Sequence, residues 1–316
     1  MSHSSPDHSI VSDGITPTLA ELIALRGTAQ RRPAARRGRF GMTGQAPSPS
    51  RGRGMEYAES REYAIGDDAR HIDWRLTARS GRPHTKLFQA ERERLTLLVA
   101  DTAPTLYFGT RARFKSVQAA RAGAVAVWAA VREGDRVAAV RGSTATSGRG
   151  SAVVTPGNGA RGALRVLDAL VRWYAAPPAD DAGLPVALDQ AARLLRPGSR
   201  LLVLADPRSV DGIDAARWTG LTAHHEVVLL LLTDPLEQAP PKAALPFATS
   251  AGRLRLDLAV PAQRQRWNDE FLAPLQRAQQ LLPARGVRLQ VLASDAPSDA
   301  WLPLFGRMPL ASAQAG

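Results

Sequence analysis

LTLLVAD, residues 95–101, is an unbroken apolar run that ends in an aspartate, and two later stretches repeat the pattern. They are LLVLAD at 201–206 and VVLLLLTD at 227–234. A strand with one solvated face alternates apolar and polar residues, whereas a continuous apolar run is typical of a strand covered on both faces. These three segments therefore predict the centre of a buried, parallel sheet.

Amphipathic segments that predict helices lie between the apolar runs. In residues 114–134, Val117, Ala124 and Val131 share one face, and Gly134 ends the pattern. The alternation of strands and helices predicts an α/β fold, a mostly parallel sheet with helices on both faces. The other predicted helices cover 162–175, 185–198, 214–221 and 264–282, and shorter strands are predicted at 136–142, 151–156, 254–260 and 287–294.

The composition excludes several classes of protein. The 316 residues include no cysteine, so a disulfide framework, a thiolate zinc site and a cysteine nucleophile are absent. The sequence also contains no HExxH and no GxSxG motif. The polar N-terminus lacks the apolar core of a signal peptide, and every apolar run is too short to span a bilayer. We therefore expect a cytoplasmic protein without membrane insertion.

A basic arm near the N-terminus carries much of the formal net charge of +12. We expect residues 1–50 to form a flexible segment containing this arm, interrupted by a short helix over 16–27, and residues 306–316 to form a flexible tail. Acidic protein, nucleic acid and membrane headgroups would all attract such an arm, and it can also act only to keep the protein in solution. Between residues 26 and 53 there is no acid, and the arginines are Arg26, Arg31, Arg32, Arg36, Arg37, Arg39, Arg51 and Arg53.

Aspartates stand at the carboxyl ends of the three central predicted strands: Asp101, Asp206 and Asp234. Ligands of open parallel sheets bind beyond these ends, where the strand order reverses. If the strands before Asp101 and Asp206 are neighbours, the two carboxylates face one crevice and suit a hard cation such as Mg²⁺. The alternative is that the aspartates cap helices or make turns.

The segment 51–94 is dense in charge but neutral, with eight basic and eight acidic residues between 56 and 94. This balance argues against a nucleic-acid footprint, which is of one sign, and favours internal ion pairing or a mosaic that faces a partner. Asp67 and Asp68 suit a turn that caps a short helix, and Arg61 and Arg75 suit pairing with the nearby aspartates. The candidate partner-binding residues are Arg61, Tyr63, Asp67, Asp68, Asp73, Trp74 and Arg75.

The same segment carries a resemblance to a known family. GRGMEYAESREYAIGDDARHIDWRLTARSGRPHTKLFQAERE, at 52–93, resembles the signature of domain-of-unknown-function family 58. Further matching motifs follow in order: LLVADTAPTLYFGTRARFKSVQAARAGA, EGDRV, LLVLAD and HHEVVLLLLTDPLEQAPP. The resemblance covers roughly residues 50–305. It implies a Rossmann-like, von Willebrand factor A-type sheet with an N-terminal extension, and a MoxR-type AAA+ ATPase as partner.

The resemblance also implies a metal-ion-dependent adhesion site, Asp-x-Ser-x-Ser, at the end of the first strand of the sheet. Here Asp101 and Thr105 match that motif, but Ala103 supplies no oxygen. Asp206 matches the last acidic position, and Gly183 lies near the place of an expected threonine. A divalent cation needs a nearly complete oxygen shell. We therefore expect a degenerate site at Asp101, Thr105 and Asp206 that holds Mg²⁺ weakly or not at all.

The predicted organisation is a flexible segment at 1–50, a charged signature segment packed on the core at 51–94, a von Willebrand factor A-like domain at 95–305 and a tail at 306–316. The predicted function is that of a non-enzymatic adaptor that works with a MoxR-type AAA+ ATPase in chaperone-like maturation of client proteins. The alternative is nucleic-acid binding through the arm at 26–53. A third hypothesis, metal-dependent hydrolysis by Asp101 and Asp206, lacks an identifiable base.

Overall fold

A computed structural model of the protein describes residues 13–30, 55–64, 67–90, 94–145, 152–249 and 252–305. The chain divides into two units. The sheet unit comprises residues 1–36 and 94–316, and the hairpin unit comprises residues 37–93.

Six strands form the central sheet of the sheet unit, in the order β10-β7-β6-β3-β4-β5. All neighbours are parallel except β4 and the edge strand β5, which are antiparallel. The three apolar runs are confirmed as the adjacent strands β3, β6 and β7. The strand bounds are β1 Met55–Glu62, β2 His84–Ala90, β3 Leu95–Ala100, β4 Arg136–Arg141, β5 Val153–Gly157, β6 Arg200–Ala205, β7 Glu226–Thr233, β8 Ala244–Thr249, β9 Gly252–Asp257 and β10 Arg288–Ala293.

One predicted strand lies elsewhere than in the sheet. The segment predicted at 254–260 forms β9, which pairs only with β8 in a separate antiparallel hairpin. Its residues are largely exposed and its arginines alternate with leucines. Such a segment lacks the two apolar faces that a central position in the sheet requires.

Helices cover both faces of the sheet, as the alternating pattern predicts. None of the helices in the described ranges is long and apolar enough to cross a membrane. The helix bounds are α1 Leu19–Ala24, α2 Arg26–Gln30, α3 Trp74–Ser80, α4 Lys115–Arg132, α5 Gly159–Tyr174, α6 Gly183–Leu194, α7 Pro207–Asp211, α8 Ala215–Thr222, α9 Pro235–Gln238, α10 Pro261–Trp267 and α11 Ala273–Leu281.

Two apolar layers result from the alternation of side chains along each strand. On β3, Leu98 and Ala100 face the layer that contains α4 and α5, whereas Leu97 and Val99 face the layer that contains α6, α8 and α11. All four side chains are fully buried. A sheet sandwiched in this way has its strand ends partly enclosed by the connecting loops and helices, so charges placed there need partners.

A buried ionic cluster lies at the amino ends of the strands. Arg200, at the start of β6, is 0% exposed and donates to Glu133 and Glu226, each at 3.1 Å. Its guanidinium also stacks on Phe305, 3.7 Å from the ring centroid. A buried guanidinium is tolerated only with such compensation. The whole cluster consists of Arg94, Glu133, Asp135, Arg200, Glu226 and Arg288.

The helices α1 and α2 pack onto α4 and α5, although they fall within the segment 1–50 that we expected to be flexible. Leu22, Leu25 and Ala29 belong to the first apolar layer. The indole N–H of Trp128 donates to the carbonyl oxygen of Leu22 at 3.0 Å. The predicted short helix over 16–27 is thus present and packed against the sheet unit.

Only the beginning of the basic arm lies within the described residues. Arg26 lies over the Trp128 ring, 5.5 Å from its centroid. The other seven arginines of the arm lie outside the described residues, as do 306–316.

The hairpin unit consists of the antiparallel strands β1 and β2 with α3 between them in sequence. A 3₁₀ turn, Ala69–His71, precedes α3. The helix ends at Gly81, whose φ of 71° is in the left-handed region that glycine adopts without strain. Gly81 therefore allows the chain to reverse directly into β2.

The packing of α1 generates a stability prediction. Leu22 is 0% exposed and its neighbour Ile23 is 40% exposed. We expect Leu22→Ala to lower the free energy of unfolding by about 2–4 kcal/mol, because it leaves a cavity in the apolar layer. The matched change Ile23→Ala should cost less than about 1 kcal/mol. Urea unfolding measures both, and equal effects would mean that α1 is not packed in solution.

Candidate functional site

The three strand-terminal aspartates come together at one edge of the sheet. Asp101, Asp206 and Asp234 follow β3, β6 and β7, which are parallel neighbours. The backbone N–H of Asp206 donates to Asp101 Oδ2 at 3.0 Å. The predicted proximity of Asp101 and Asp206 is confirmed, but each aspartate is at most 1% exposed, so they lie in a closed edge rather than an open crevice. We call Asp101, Lys115, Asp206, Asp234 and Glu237 the carboxyl-end rim.

Asp101 is surrounded by hydrogen-bond donors. Its Oδ1 accepts from the backbone N–H of Ala103 at 3.0 Å, and its Oδ2 accepts from that of Asp206. Burial raises the pKa of Asp101 to about 6, and the charge of Asp206 acts in the same direction. Hydrogen bonds from Ser209 and the two N–H groups oppose that rise without cancelling it.

A lysine that the sequence analysis did not single out joins two of the rim carboxylates. Lys115, the first residue of α4, is fully buried. Its Nζ lies 2.7 Å from Asp206 Oδ2 and 2.6 Å from Glu237 Oε1. A buried ammonium requires such partners, because taking an unpaired charge out of water is very costly.

Lys115 lowers the pKa of both carboxylates that it contacts, but the net pKa shifts of the two differ. Burial disfavours ionisation of Asp206, but the charges of Lys115 and Arg208 outweigh it and hold the pKa of Asp206 below its usual value. Burial raises the pKa of Glu237, because Lys115 only partly opposes it and Asp206 adds to it. Both carboxylates lie within hydrogen-bond distance of the ammonium and share its charge.

Asp234 acts as a helix cap. Its Oδ1 accepts from the N–H of Leu236 at 2.9 Å, and Glu237 Oε2 accepts from the N–H of Asp234 at 2.9 Å, which completes a capping box on α9. The hydroxyls of Thr110 and Ser294 also donate to Asp234. The alternative interpretation of the strand-terminal aspartates, that they cap helices or make turns, is confirmed: Asp234 caps α9, Asp206 caps α7, and Asp101 accepts from the N–H two residues on.

The remaining positions of the predicted metal site are poor sources of oxygen ligands for a cation. Thr105 lies in a 3₁₀ turn, Pro104–Leu106, and its buried hydroxyl makes no hydrogen bond within the described residues. Ala103 contributes only its N–H to Asp101. Gly183 begins α6 and carries no side chain.

The donor set in this arrangement does not fit a divalent cation. Asp206 already takes the ammonium of Lys115 on Oδ2 and the backbone N–H of Arg208 on Oδ1. Both oxygens of Asp101 also accept N–H donors. Within the described ranges, no group of three or more His, Cys, Asp or Glu side chains is placed to hold a metal ion. We therefore assign no metal to Asp101, Thr105 and Asp206.

Most of the predicted partner-binding residues of the hairpin unit are used within that unit. Arg61 pairs with Asp67 at 2.6 Å, as predicted, and the Tyr63 hydroxyl donates to the Asp67 carbonyl oxygen at 3.2 Å. Asp68 caps the 3₁₀ turn, and Asp73 caps α3 through two N–H groups at 3.1 Å. The backbone donation from Leu76 lowers the pKa of Asp73. These five residues therefore hold the hairpin unit in its conformation.

Trp74 and Arg75 are different, because both project from α3 into solvent. Trp74 is 71% exposed. Arg75 and Arg79 are exposed and Lys86 on β2 is half-buried, and the three line a shallow depression together with Leu76 and Asp73. None of the three cations forms an ion pair within the described residues, so the predicted pairing of Arg75 with a nearby aspartate is wrong. The charge of Lys86 nevertheless helps to lower the pKa of Asp73. We call Trp74, Arg75, Arg79 and Lys86 the Trp74 surface.

Sequence reasoning missed four of the residues that define these two places. Lys115 and Glu237 are absent from the predicted site, and Arg79 and Lys86 were counted only as charges of the block. The DPLE sequence at 234–237 has the spacing of a capping box and could have identified Glu237. Lys115 carried no such signal, since a lysine at the start of a helix is ordinarily exposed.

Comparisons with known proteins place the chain among uncharacterized relatives. A family model described as "Protein of unknown function DUF58" matches residues 59–277. An uncharacterized protein of Mycobacterium bovis is 30% identical over 188 residues, which are 58% of this chain and 56% of that protein. Uncharacterized proteins of two Mycobacterium tuberculosis strains match with the same identity and coverage. The chain thus spans a little over half the length of these relatives. No solved structure matches it.

The buried Asp101 carboxyl makes stability depend on pH. Its pKa is about 6 in the folded protein, against about 3.9 in an unfolded chain. Between these values the unfolded chain releases the proton first, so rising pH disfavours the folded state, and above about pH 6 the cost is constant. We expect the free energy of unfolding, relative to that of Asp101→Asn, to fall by about 2–3 kcal/mol between about pH 4 and about pH 7.

Urea unfolding across that pH range measures the difference. Asp269→Asn, which neutralises an exposed aspartate, is the control and should track the wild type. A difference between wild type and Asp101→Asn that stays constant with pH would contradict the raised pKa.

Proposed function

The chain belongs to the DUF58 family, and on that premise we propose that it is a cytoplasmic, non-enzymatic interaction protein of von Willebrand factor A type. In this proposal it works with a MoxR-type AAA+ ATPase in chaperone-like maturation or assembly of client proteins. The ATPase supplies the energy, and this chain supplies contact surfaces.

The topology supports the von Willebrand factor A assignment. Numbered along the six-stranded sheet alone, the strand order is 6-5-4-1-2-3, which is the doubly wound order, with the third strand reversed at the edge. An aspartate, Asp101, ends the first of these strands, where the family motif begins. Helices on both faces complete the arrangement.

The state of the rim acids supports a non-enzymatic role. A catalytic acid or base must be free to reach the reacting group. Asp206 and Glu237 instead share a buried ammonium, and Asp234 caps a helix. The hypothesis of metal-dependent hydrolysis by Asp101 and Asp206 loses its basis, because both carboxylates are occupied by protein donors.

The Trp74 surface is the observation that carries the adaptor proposal. Tryptophan and arginine dominate the binding energy of protein interfaces. Here a 71% exposed indole directly precedes Arg75 in the chain, and Arg75, Arg79 and Lys86 line a depression in which they outnumber its one acid, Asp73. Such a surface is complementary to an acidic segment that also offers an apolar contact to the indole. We assign that segment to the ATPase.

The test is a binding titration between the full chain and a purified MoxR-type AAA+ ATPase from the same organism. We expect Trp74→Ala to weaken the affinity by about 10-fold to 100-fold, because it removes the central apolar contact. Arg75→Glu with Arg79→Glu should weaken it further at low salt, since the attraction to an acidic segment becomes repulsion.

Arg193→Glu is the matched control, because Arg193 is an exposed arginine on α6 in the sheet unit. Its affinity should equal that of the wild type. Unchanged binding by Trp74→Ala would place the contact elsewhere on the chain. Failure of the wild type to bind the ATPase, or ATP hydrolysis by the purified chain alone, would contradict the adaptor proposal.

A further inference from the structure

The chemistry of the carboxyl-end rim leads to an inference that is independent of any ATPase partner. We propose that the Lys115 ammonium is the resident cation of this rim, so that the edge of the sheet needs no divalent ion. We also propose that removing the ammonium opens a divalent-cation site between Asp206 and Glu237.

The position of the ammonium is fixed by the backbone. The N–H of Lys115 donates to the carbonyl oxygen of Phe108 at 2.8 Å, at the point where α4 begins. From there the side chain runs into the interior and is 0% exposed. Its Nζ bridges Asp206 and Glu237, at 2.7 Å from Asp206 Oδ2 and 2.6 Å from Glu237 Oε1.

The two carboxylates are fixed as well. Asp206 follows β6 directly, and its Oδ1 accepts from the N–H of Arg208 at 2.9 Å. Glu237 is held by the capping box, in which its Oε2 accepts from the N–H of Asp234. Each carboxylate therefore has one oxygen bound to backbone and presents the other, Oδ2 or Oε1, to Lys115.

This arrangement meets the charge requirement of a cation site without a metal. Two buried carboxylates need compensating positive charge, and lysine provides it as a compact ammonium with three donors. Arg208 adds a second cation on the solvent side, with its Nε 3.2 Å from Asp206 Oδ1. A divalent ion would have to displace the ammonium, because it needs the same two oxygens and would be repelled by its charge.

Truncation of Lys115 should allow a divalent cation to bind where the ammonium now lies. Lys115→Ala removes the ammonium and its methylene chain, which leaves two carboxylate oxygens facing an enclosed space. Arg208 alone would then remain beside Asp206 and Glu237 would have no cation, an arrangement that favours either protonation or a small cation that brings its own waters. Mn²⁺ takes carboxylate and water ligands and is readily detected, so it serves as the probe.

The first measurement uses the wild-type chain. We expect its Tm to be the same in EDTA and in millimolar MnCl₂, and Mn²⁺ paramagnetic resonance to detect no stoichiometric binding. Stoichiometric binding of Mn²⁺ by the wild type that Asp206→Asn abolishes would overturn the first part of the proposal.

The second measurement uses Lys115→Ala. We expect a lower Tm than the wild type in EDTA, a saturable rise of the Tm with Mn²⁺, and one ion bound per chain, because a ligand that binds only the folded state stabilises it. Adding Glu237→Gln should weaken Mn²⁺ binding at least about 10-fold, since one of the two carboxylates is lost.

Lys115→Met is the matched control, because it keeps the length of the side chain without the charge. It should be destabilised but insensitive to Mn²⁺, since the methionine fills the space. A Lys115→Ala chain whose Tm does not respond to Mn²⁺, or that stays unfolded in its presence, would overturn the second part of the proposal. The wild-type measurement decides the first part by itself.

Discussion

Burial of the strand ends is the constraint on which the rest of the structure depends. The sheet is covered on both faces, so charges at either end of its central strands lie largely out of water and must be paired there. At the amino ends, Arg200 is held between Glu133 and Glu226 and stacked on Phe305. At the carboxyl ends, the Lys115 ammonium pairs with Asp206 and Glu237. Breaking either set would leave an uncompensated charge inside the protein.

The burial and pairing of charges at the strand ends also affect where this protein can bind a ligand or partner. Doubly wound sheets commonly bind ligands at the carboxyl ends of their strands, but in this protein those ends are closed by internal ion pairs and helix caps. The exposed chemistry lies instead on the hairpin unit, where most charges are used to hold the hairpin and α3 together. Trp74 is exposed on α3, and Arg75, Arg79 and Lys86 form no ion pair within the described residues. A surface that combines an exposed indole with cations in excess over acids is suited to another protein.

Much of the fold could be predicted because its signals are local. Continuous apolar runs identified β3, β6 and β7, and helical periodicity identified α4, since burial on both faces or on one stripe leaves a direct pattern in the chain. The proximity of Asp101 and Asp206 followed from topology, because parallel neighbours end at the same edge. The exposed hairpin β8–β9 was misplaced, because a short strand pattern does not reveal which strand it pairs with.

The sequence by itself determined the α/β class, the order of the elements and the aspartate at the end of each central strand, and it offered Asp67 as one of three possible partners of Arg61. Only the tertiary structure decided what those aspartates do. A carboxylate can bind a metal, cap a helix or pair with lysine, and the choice depends on which donors lie within about 3 Å of its oxygens. Lys115 is more than ninety residues from Asp206 in the chain, so no local sequence pattern predicts their contact. The folding of α4 against the sheet brings them together, and that contact gives the carboxyl-end rim an ammonium in the place where a metal site was expected.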